Sequence, residues 1–469
     1  MKGKTMAIED CDKVFKAYDV RGIYGDGVSE DLAWAIGHAA SQFLRSQLTG
    51  YQRGQSAINS VVVGHDMRPS SESLNKALID GISSSGTTCI DIGMCDTPMV
   101  YFAINHLSAC GGIMVTASHN PVEYNGFKVS GYQAKPVGED TGLNEIKRIV
   151  KTLKRMPSNA SLVPAQKMDL WSEYAQHVLK FLDLPRKLKV VVDASNGMGG
   201  KMIPKIFGDV ENLELITLNM EMGDGFVHPP NPLVAANMKW TQDAVKKHNA
   251  DIGICLDGDA DRCMFVDEKG EIVRCDIMTA LVAKNFLEMP ENKGSAIVYD
   301  LRSSKVVPEI IRAAGGVPHR DRVGHAFMKK AMADTQAIFG GELSGHSYFR
   351  DNYHADSAAI VFARAVSILA TGTSLSEMVA PLMKYSHTSE INFQVEDKKG
   401  KMEEIAETFS DSTVDYLDGV TCTYDNWWCN VRPSNTEPLL RLNLEADTPK
   451  LMKEKLADLE KMLGKPVDH

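Results

Sequence analysis

Val61-Val-Val-Gly64-His-Asp66, Val190-Val-Val-Asp193-Ala-Ser-Asn196 and Ile297-Val-Tyr-Asp300-Leu-Arg302 are one pattern written three times. A run of β-branched residues suits a buried strand, the small polar residues after it suit a turn, and a stretch of helical spacing follows. Each segment therefore reads as the opening strand of a βαβ unit. Roughly 40 to 60 residues further on, a second apolar run ends in a polar cluster. These runs are Gly112-Ile-Met-Val115 before Ser118, Ile252-Gly-Ile-Cys-Leu256 before Asp257, and Ala337-Ile-Phe339 before Glu342. Open α/β sheets place ligands beyond the carboxyl ends of their strands. Three similar domains, each sending one loop into a shared central cleft, are the expected arrangement. A single polar βα turn carries little information; three at equivalent places carry much more.

The segments between these strands read as helices. Ser29-Glu-Asp-Leu32-Ala-Trp34-Ala-Ile36 opens with an N-cap serine and acidic first-turn residues. After about residue 385 the pattern changes to a strand at Glu390–Val395, a charged helix, short alternating strands around Asp418-Gly419 and Asp425-Asn426, and a last helix from Pro449 to Leu463. Antiparallel strands with helices on one side make an α+β domain. The fold class expected is α/β, with three similar mixed-sheet α/β domains and a C-terminal α+β domain. The boundaries expected are 1–160, 161–270, 271–384 and 385–469, with Arg155–Pro164 as a proline-bearing linker.

Composition narrows the function. The 469 residues exceed what one core organises. A hydrophobic content of 43% with 24% charged residues is ordinary for a globular chain. No apolar run reaches the roughly 18 residues that span a bilayer, and acidic Glu9 and Asp10 sit where a signal peptide is apolar, so no membrane and a cytoplasmic address are expected. Nine scattered cysteines without a Cys-x-x-Cys pair fit reduced thiols. A net charge of −10 argues against nucleic acid as a partner. The acidic surface, with no evident apolar seam, favours a monomer over a dimer.

Four short segments carry the chemistry. In Asp257-Gly-Asp259-Ala-Asp261-Arg262, an extended backbone would put three carboxylates on one side, a set suited to a hard divalent ion such as Mg²⁺. An EF-hand is excluded, because Arg262 stands where the loop needs glycine and the preceding residues are strand-like. In Thr116-Ala-Ser118-His119-Asn120-Pro121, Ser118 is a candidate phosphoryl carrier; the segment is not a Gly-x-Ser-x-Gly elbow, so His119 is not half of a hydrolase triad. Arg21, Lys128 and Arg262 lie at or near these turns and supply positive charge for a moving phosphate. Glu342, Ser344 and His346 in Gly341-Glu-Leu-Ser-Gly-His346 suit vicinal sugar hydroxyls. Arg432-Pro-Ser434-Asn435-Thr436-Glu-Pro438 offers a guanidinium fork, hydroxyls and an amide for a non-reacting phosphate.

With Lys16-Ala-Tyr18-Asp19-Val-Arg21-Gly22, these segments occur in the order found in the α-D-phosphohexomutases, and the chain resembles most closely their bacterial phosphomannomutase/phosphoglucomutase branch. The resemblance implies that Ser118 is the phosphoserine and that Ser118, Asp257, Asp259 and Asp261 bind one Mg²⁺. It places Arg21, Lys128, Arg262 and His119 at the reacting end, with Lys128 a candidate general base. Glu342, Ser344, His346, His325 and Arg302 would line the sugar site, and Arg432, Ser434, Asn435 and Thr436 the distal phosphate. Phosphosugars are the implied partners and hexose 1,6-bisphosphate the implied activator. Two positions depart from the family pattern: Arg302 stands where a lysine is expected, and Val323 where threonine is common. An arginine stays charged and is no proton donor.

The reaction implied is interconversion of hexose 6- and 1-phosphates of mannose and glucose, through phospho-Ser118 and a 1,6-bisphosphate. A strict phosphoglucomutase is one alternative. A phosphoglucosamine mutase is another, weakened by Leu343 where those enzymes carry glutamine. A sugar-phosphate phosphatase would let water reach the seryl phosphate. A silent phosphosugar-binding protein usually loses the nucleophile or the metal residues, and this chain keeps both.

Overall fold

The computed structural model describes residues 8–49, 59–153, 164–223, 225–434 and 439–467. The expected linker at Arg155–Pro164 falls outside them except for its last residue. The chain forms two compact units, one running to Val273 and including Ser344–Ser376, the other made of Arg274–Leu343 and Glu377–His469.

The threefold pattern is visible in the strand order. In the first unit the strand Ser60–His65 lies between the parallel strands Gly111–Val115 and Thr88–Met94. Leu188–Asp193 lies between Ile252–Leu256 and Leu213–Leu218, again parallel. In the second unit Ala296–Asp300 lies between Phe339–Gly341 and Val317–Asp321 in the same sense. Antiparallel strands extend the first two sheets: Tyr124–Gly131 pairs with Gly111–Val115, and Cys263–Asp267 with Ile252–Leu256. The class is α/β with mixed sheets. In every repeat the strand leading to a motif loop is the neighbour of the opening strand, so their carboxyl ends are adjacent.

Helix ends follow local chemistry. Ser29 caps the helix Glu30–Ser46, its Oγ accepting from Leu32 N–H at 3.3 Å. The last helix runs Pro449–Leu463, capped by Thr448 with proline at its first position. The C-terminal sheet is antiparallel, built around Trp427–Pro433 and Leu439–Ala446, with Val431, Leu442 and Leu444 fully buried beneath its helices. Among the described residues no helix is long and apolar enough to cross a membrane. All nine cysteines are free and buried.

Candidate active site

The aspartate at the end of each opening strand, or directly after it in the case of Asp66, does the same work three times. Its Oδ1 accepts the backbone N–H two residues on: Arg68 to Asp66 at 3.0 Å, Ser195 to Asp193 at 2.9 Å and Arg302 to Asp300 at 2.8 Å. This side-chain turn fixes the strand end. Asp66 Oδ2 also accepts from Thr116 Oγ1 at 2.7 Å, and Asp300 Oδ2 from Leu343 N–H at 2.7 Å, so each reaches the adjacent motif loop. In the middle repeat Ser195 Oγ donates instead to Leu256 O at 2.6 Å. Three buried hubs therefore set the three loops.

Ser118 is buried with φ of 52°, a left-handed conformation that a side-chain-bearing residue adopts at a cost of about 1–2 kcal/mol. Arg68 holds it there. Its Nη2 donates to Ser118 O at 2.9 Å and Asn120 O at 2.7 Å, its Nη1 to Pro121 O at 2.5 Å and Tyr124 O at 3.0 Å, and its Nε to Asp66 Oδ2 at 3.0 Å. The Asp257–Arg262 segment approaches so closely that a Cβ on Gly258 would stand 2.3 Å from Ser118 O.

The three aspartates meet, but not by strand alternation. The strand ends at Leu256, and Asp257–Arg262 is a turn closed by Asp261 and Arg262 N–H donating to Asp257 Oδ1 at 3.1 and 3.2 Å, with Ala260 at φ of 54°. The turn wins because it satisfies these backbone donors while gathering all three carboxylates, one oxygen of each within 4.8 Å of the others. Ser118 Oγ lies 3.3 Å from Asp257 Oδ2. Thr97 Oγ1 donates to Asp259 Oδ2 at 2.5 Å. Asp259 Oδ1 is buried and accepts no hydrogen bond from the described residues, and Asp261 Oδ1 has only the distant His346 Nε2, at 3.4 Å, and Arg262 Nε, at 3.7 Å. A hard carboxylate oxygen left without a donor, with two further carboxylates beside it, fits a divalent cation such as Mg²⁺.

Lys128 Nζ donates to Asp259 Oδ2 and Asp261 Oδ2, both at 2.6 Å. Burial disfavours its charge, yet the two carboxylates push its pKa up, so it is an ammonium ion here. Asp257 is pushed up by burial and by its two anionic neighbours. For Asp261, burial is outweighed by Lys128, His346 and Arg262, which hold it low. Arg262 Nη2 donates to His119 Nδ1 at 2.8 Å, and that nitrogen is 3.1 Å from Ser118 Oγ. Burial, with the Arg262 and Arg21 charges, keeps His119 neutral. Arg21 Nη1 donates to Asn120 Oδ1 at 2.6 Å and its other arm pairs with Asp19. His346 Nε2 stands 3.4 Å from Asp261 Oδ1 and its Nδ1 is 3.0 Å from Ser344 Oγ. The first unit thus collects Ser118, His119, Arg21, Lys128, Arg262, the three aspartates, Ser344 and His346.

The second unit holds the other candidates. Glu342 Oε1 accepts from Gly324 N–H at 3.0 Å, one residue before His325 opens the helix His325–Thr335. Arg302 pairs with Asp300 through Nη2 at 2.7 Å, as Arg68 pairs with Asp66. Arg432 is buried, its Nη2 donating to Glu390 at 2.7 Å, and Ser434 follows at the end of the strand. Asn435 and Thr436 lie outside the described residues.

Sequence reading missed Asp66, Arg68, Thr97, Asp300 and Glu390. Asp66-Met-Arg68 and Asp300-Leu-Arg302 repeat one Asp-x-Arg at the same place in two repeats, a signal available in the sequence. Thr97 and Glu390 gave none.

A buried serine beside hard carboxylates, arginines and a lysine ammonium defines a phosphoryl-transfer site. The comparisons agree. Residues 12–156, 172–270 and 274–385 match the phosphoglucomutase/phosphomannomutase α/β/α domains I, II and III, and residues 390–462 match the C-terminal domain. The phosphohexose mutases of Xanthomonas campestris pv. campestris are 39% identical over 438 residues, 92% of this chain and 94% of theirs. The phosphomannomutase of Escherichia coli K12 is 36% identical over 444 residues, 92% of this chain and 94% of its own. A crystal structure of a phosphoglucomutase/phosphomannomutase family protein from Burkholderia thailandensis superposes with a TM-score of 0.86 at 30% identity, covering 98% of this chain and 97% of that one. The chain belongs to the phosphoglucomutase/phosphomannomutase family. It is an enzyme, an isomerase that works by intramolecular phosphoryl transfer.

Proposed function

We propose that this enzyme interconverts the 6- and 1-phosphates of mannose and of glucose through phospho-Ser118 and a hexose 1,6-bisphosphate. The observation that carries the reading is the placement of Ser118 Oγ, 3.3 Å from Asp257 Oδ2 in a loop held at a left-handed serine. The serine faces the acidic turn, and His119 Nδ1, 3.1 Å from its Oγ, already accepts from Arg262 Nη2 and so has no lone pair free to take a proton from water.

The P–O bond to Ser118 breaks as the substrate hydroxyl oxygen bonds to phosphorus, and the hydroxyl proton ends on Ser118 Oγ, restoring the serine hydroxyl. Arg21 and Arg262 neutralise charge on the transferring group. Lys128 does the same as an ammonium ion; serving as general base would require it to lose that proton first. Asp257, Asp259 and Asp261 with the seryl phosphate would hold Mg²⁺, which when bound supplies charge neutralisation at phosphate oxygens. Glu342, with Ser344 and His346, contacts the 3- and 4-hydroxyls, and His325 and Arg302 complete the sugar site. Mannose and glucose differ at C2 alone, so a site reading C3 and C4 accepts both. Arg432, Ser434, Asn435 and Thr436 hold the non-reacting phosphate. After the bisphosphate reorients, its other phosphoryl group returns to Ser118. Free hexose 1,6-bisphosphate reloads a dephosphorylated serine and so acts as activator. Four domains divided near residues 160, 270 and 384, a monomer, and a cytoplasmic setting consistent with nine free cysteines complete the reading.

Phosphorus NMR of mannose 1-phosphate and glucose 1-phosphate, with Mg²⁺ and a trace of the bisphosphate, tests it. Conversion of both to 6-phosphates, lost in Ser118→Ala, is expected. Inorganic phosphate as the main product would make the enzyme a phosphatase. Conversion of glucosamine 1-phosphate alone would move the assignment to the amino sugar.

A further inference from the structure

Asp259 is held from outside its own turn. Asp257 Oδ1 is taken by backbone N–H groups within the turn, those of Asp261 and Arg262, and Asp261 Oδ2 by Lys128. Asp259 is gripped instead by Thr97, which lies 162 positions earlier and opens the helix Thr97–His106. Thr97 Oγ1 donates to Asp259 Oδ2 at 2.5 Å, and Thr97 N–H donates to Asp259 O at 3.1 Å. One residue therefore holds both the main chain and the carboxylate of Asp259. Lys128 Nζ adds a second donor to the same Oδ2 at 2.6 Å, while Oδ1 accepts no hydrogen bond from the described residues.

The grip is stiff at both ends. Thr97 and Asp259 are fully buried, and a β-branched threonine in a helix has few χ1 states open to it. Asp96, the residue before it, is fully buried as well, and its Oδ2 accepts from the Tyr174 hydroxyl at 2.8 Å, so a second contact fixes the chain where it enters the helix. With the carbonyl of Asp259 held and one carboxylate oxygen tied, rotation about both side-chain bonds is lost. The other oxygen then has one direction to present. A buried carboxylate oxygen without a donor is costly to the fold alone, and a cation placed there removes that cost.

We propose that Thr97 is a positioning residue for the metal: it ties Asp259 Oδ2 and the Asp259 carbonyl so that Oδ1 is aimed at Mg²⁺. The inference rests on the reading of Asp257, Asp259 and Asp261 as the Mg²⁺ ligands. Partners that hold a ligating carboxylate from behind set its orientation, and losing one weakens metal binding although the ligand itself remains.

Calorimetric titration of the full-length enzyme with Mg²⁺ tests this, with melting curves in chelator to show that each chain is folded. Thr97→Val keeps the shape and the backbone N–H and removes the hydroxyl donor. Its dissociation constant for Mg²⁺ is expected to rise by about tenfold to a hundredfold, and the Mg²⁺ concentration for half-maximal turnover to rise with it, with kcat at saturating Mg²⁺ changed less. Thr97→Ser keeps the hydroxyl and should bind Mg²⁺ within about threefold of wild type, the span separating it from the lower end of the valine effect. The sign separates position from charge. A hydrogen bond stabilises the ionised carboxylate, so if Thr97 acted on charge alone its loss would make Asp259 more basic and tighten the cation. Mg²⁺ bound within twofold of wild type, or more tightly, by a folded Thr97→Val chain overturns the proposal, as does Thr97→Ser binding as weakly as Thr97→Val. Thr97→Ala takes the place of the valine variant if that chain does not fold, with the same outcomes. Asp259→Asn separates the two readings: if it leaves the Mg²⁺ isotherm unaltered, the ligand reading and the proposal fall together, and if it loses Mg²⁺ while Thr97→Val keeps it, the proposal falls alone.

Discussion

Replacing Arg68 by lysine keeps the charge and removes the fork. A guanidinium has five N–H donors, and all five of Arg68 are used, four on carbonyls of Ser118, Asn120, Pro121 and Tyr124 and one on Asp66. Lysine offers three donors from one point, so at least two of those acceptors lose their partner. A buried acceptor left unsatisfied costs about 1–3 kcal/mol, which gives about 2–6 kcal/mol for two. Three of the bonds are only partly buried, so water replaces some of the loss and about 3 kcal/mol is the expected figure. Relaxation of Ser118 out of its left-handed conformation favours release of the loop rather than its retention. At 1.36 kcal/mol per factor of ten, the population holding Ser118 against Asp257 falls by about a hundredfold. Two readouts should move together: kcat/KM for glucose 1-phosphate drops by about that factor, and amide exchange at residues 116–124 speeds up while the strand Leu188–Asp193 stays protected. The reasoning is refuted if Arg68→Lys keeps kcat/KM within threefold of wild type with unchanged exchange in the loop.

Gly258→Ala should force the metal and nucleophile loops apart, since its Cβ would meet Ser118 O at 2.3 Å; a loss of about 1–3 kcal/mol and a strong fall in activity are expected, read from melting curves and turnover. Asp259→Asn should weaken Mg²⁺ binding measured by calorimetry, and chelation should abolish wild-type turnover reversibly; full activity in excess chelator would remove the metal from the scheme. Glu390 has a folded pKa near 2 against an ordinary 4.5, so its stabilisation is complete above pH 4.5 and is lost as pH falls toward 2. The stability gap between wild type and Glu390→Gln, on the order of 3 kcal/mol at neutral pH, should close over that interval in pH-dependent melting. A gap that stays constant would show that the carboxylate is not held by its arginines.

Short-range chemistry was legible in the sequence. β-branched runs gave the strands, Ser29 and Pro449 the helix starts, and strand runs followed by polar clusters the three motif loops, because each depends on residues within a few positions of one another. The Asp257–Asp261 segment shows where this reading fails: alternation along a strand was the wrong geometry, since backbone donors at Asp261 and Arg262 turned the chain toward Asp257 instead.

By itself, then, the sequence determined the repeated strand–loop units, their order and the residue types each loop delivers, since strand propensity, caps and turns are local. Only the tertiary structure decided which distant groups meet. Thr97 meets Asp259 across 162 positions, Arg68 meets the Ser118 loop across about 50, and Glu390 meets Arg441 across 51. Those contacts depend on which strand lies beside which and in what register, and strand order is set by burying whole sheets together, a property of no single segment.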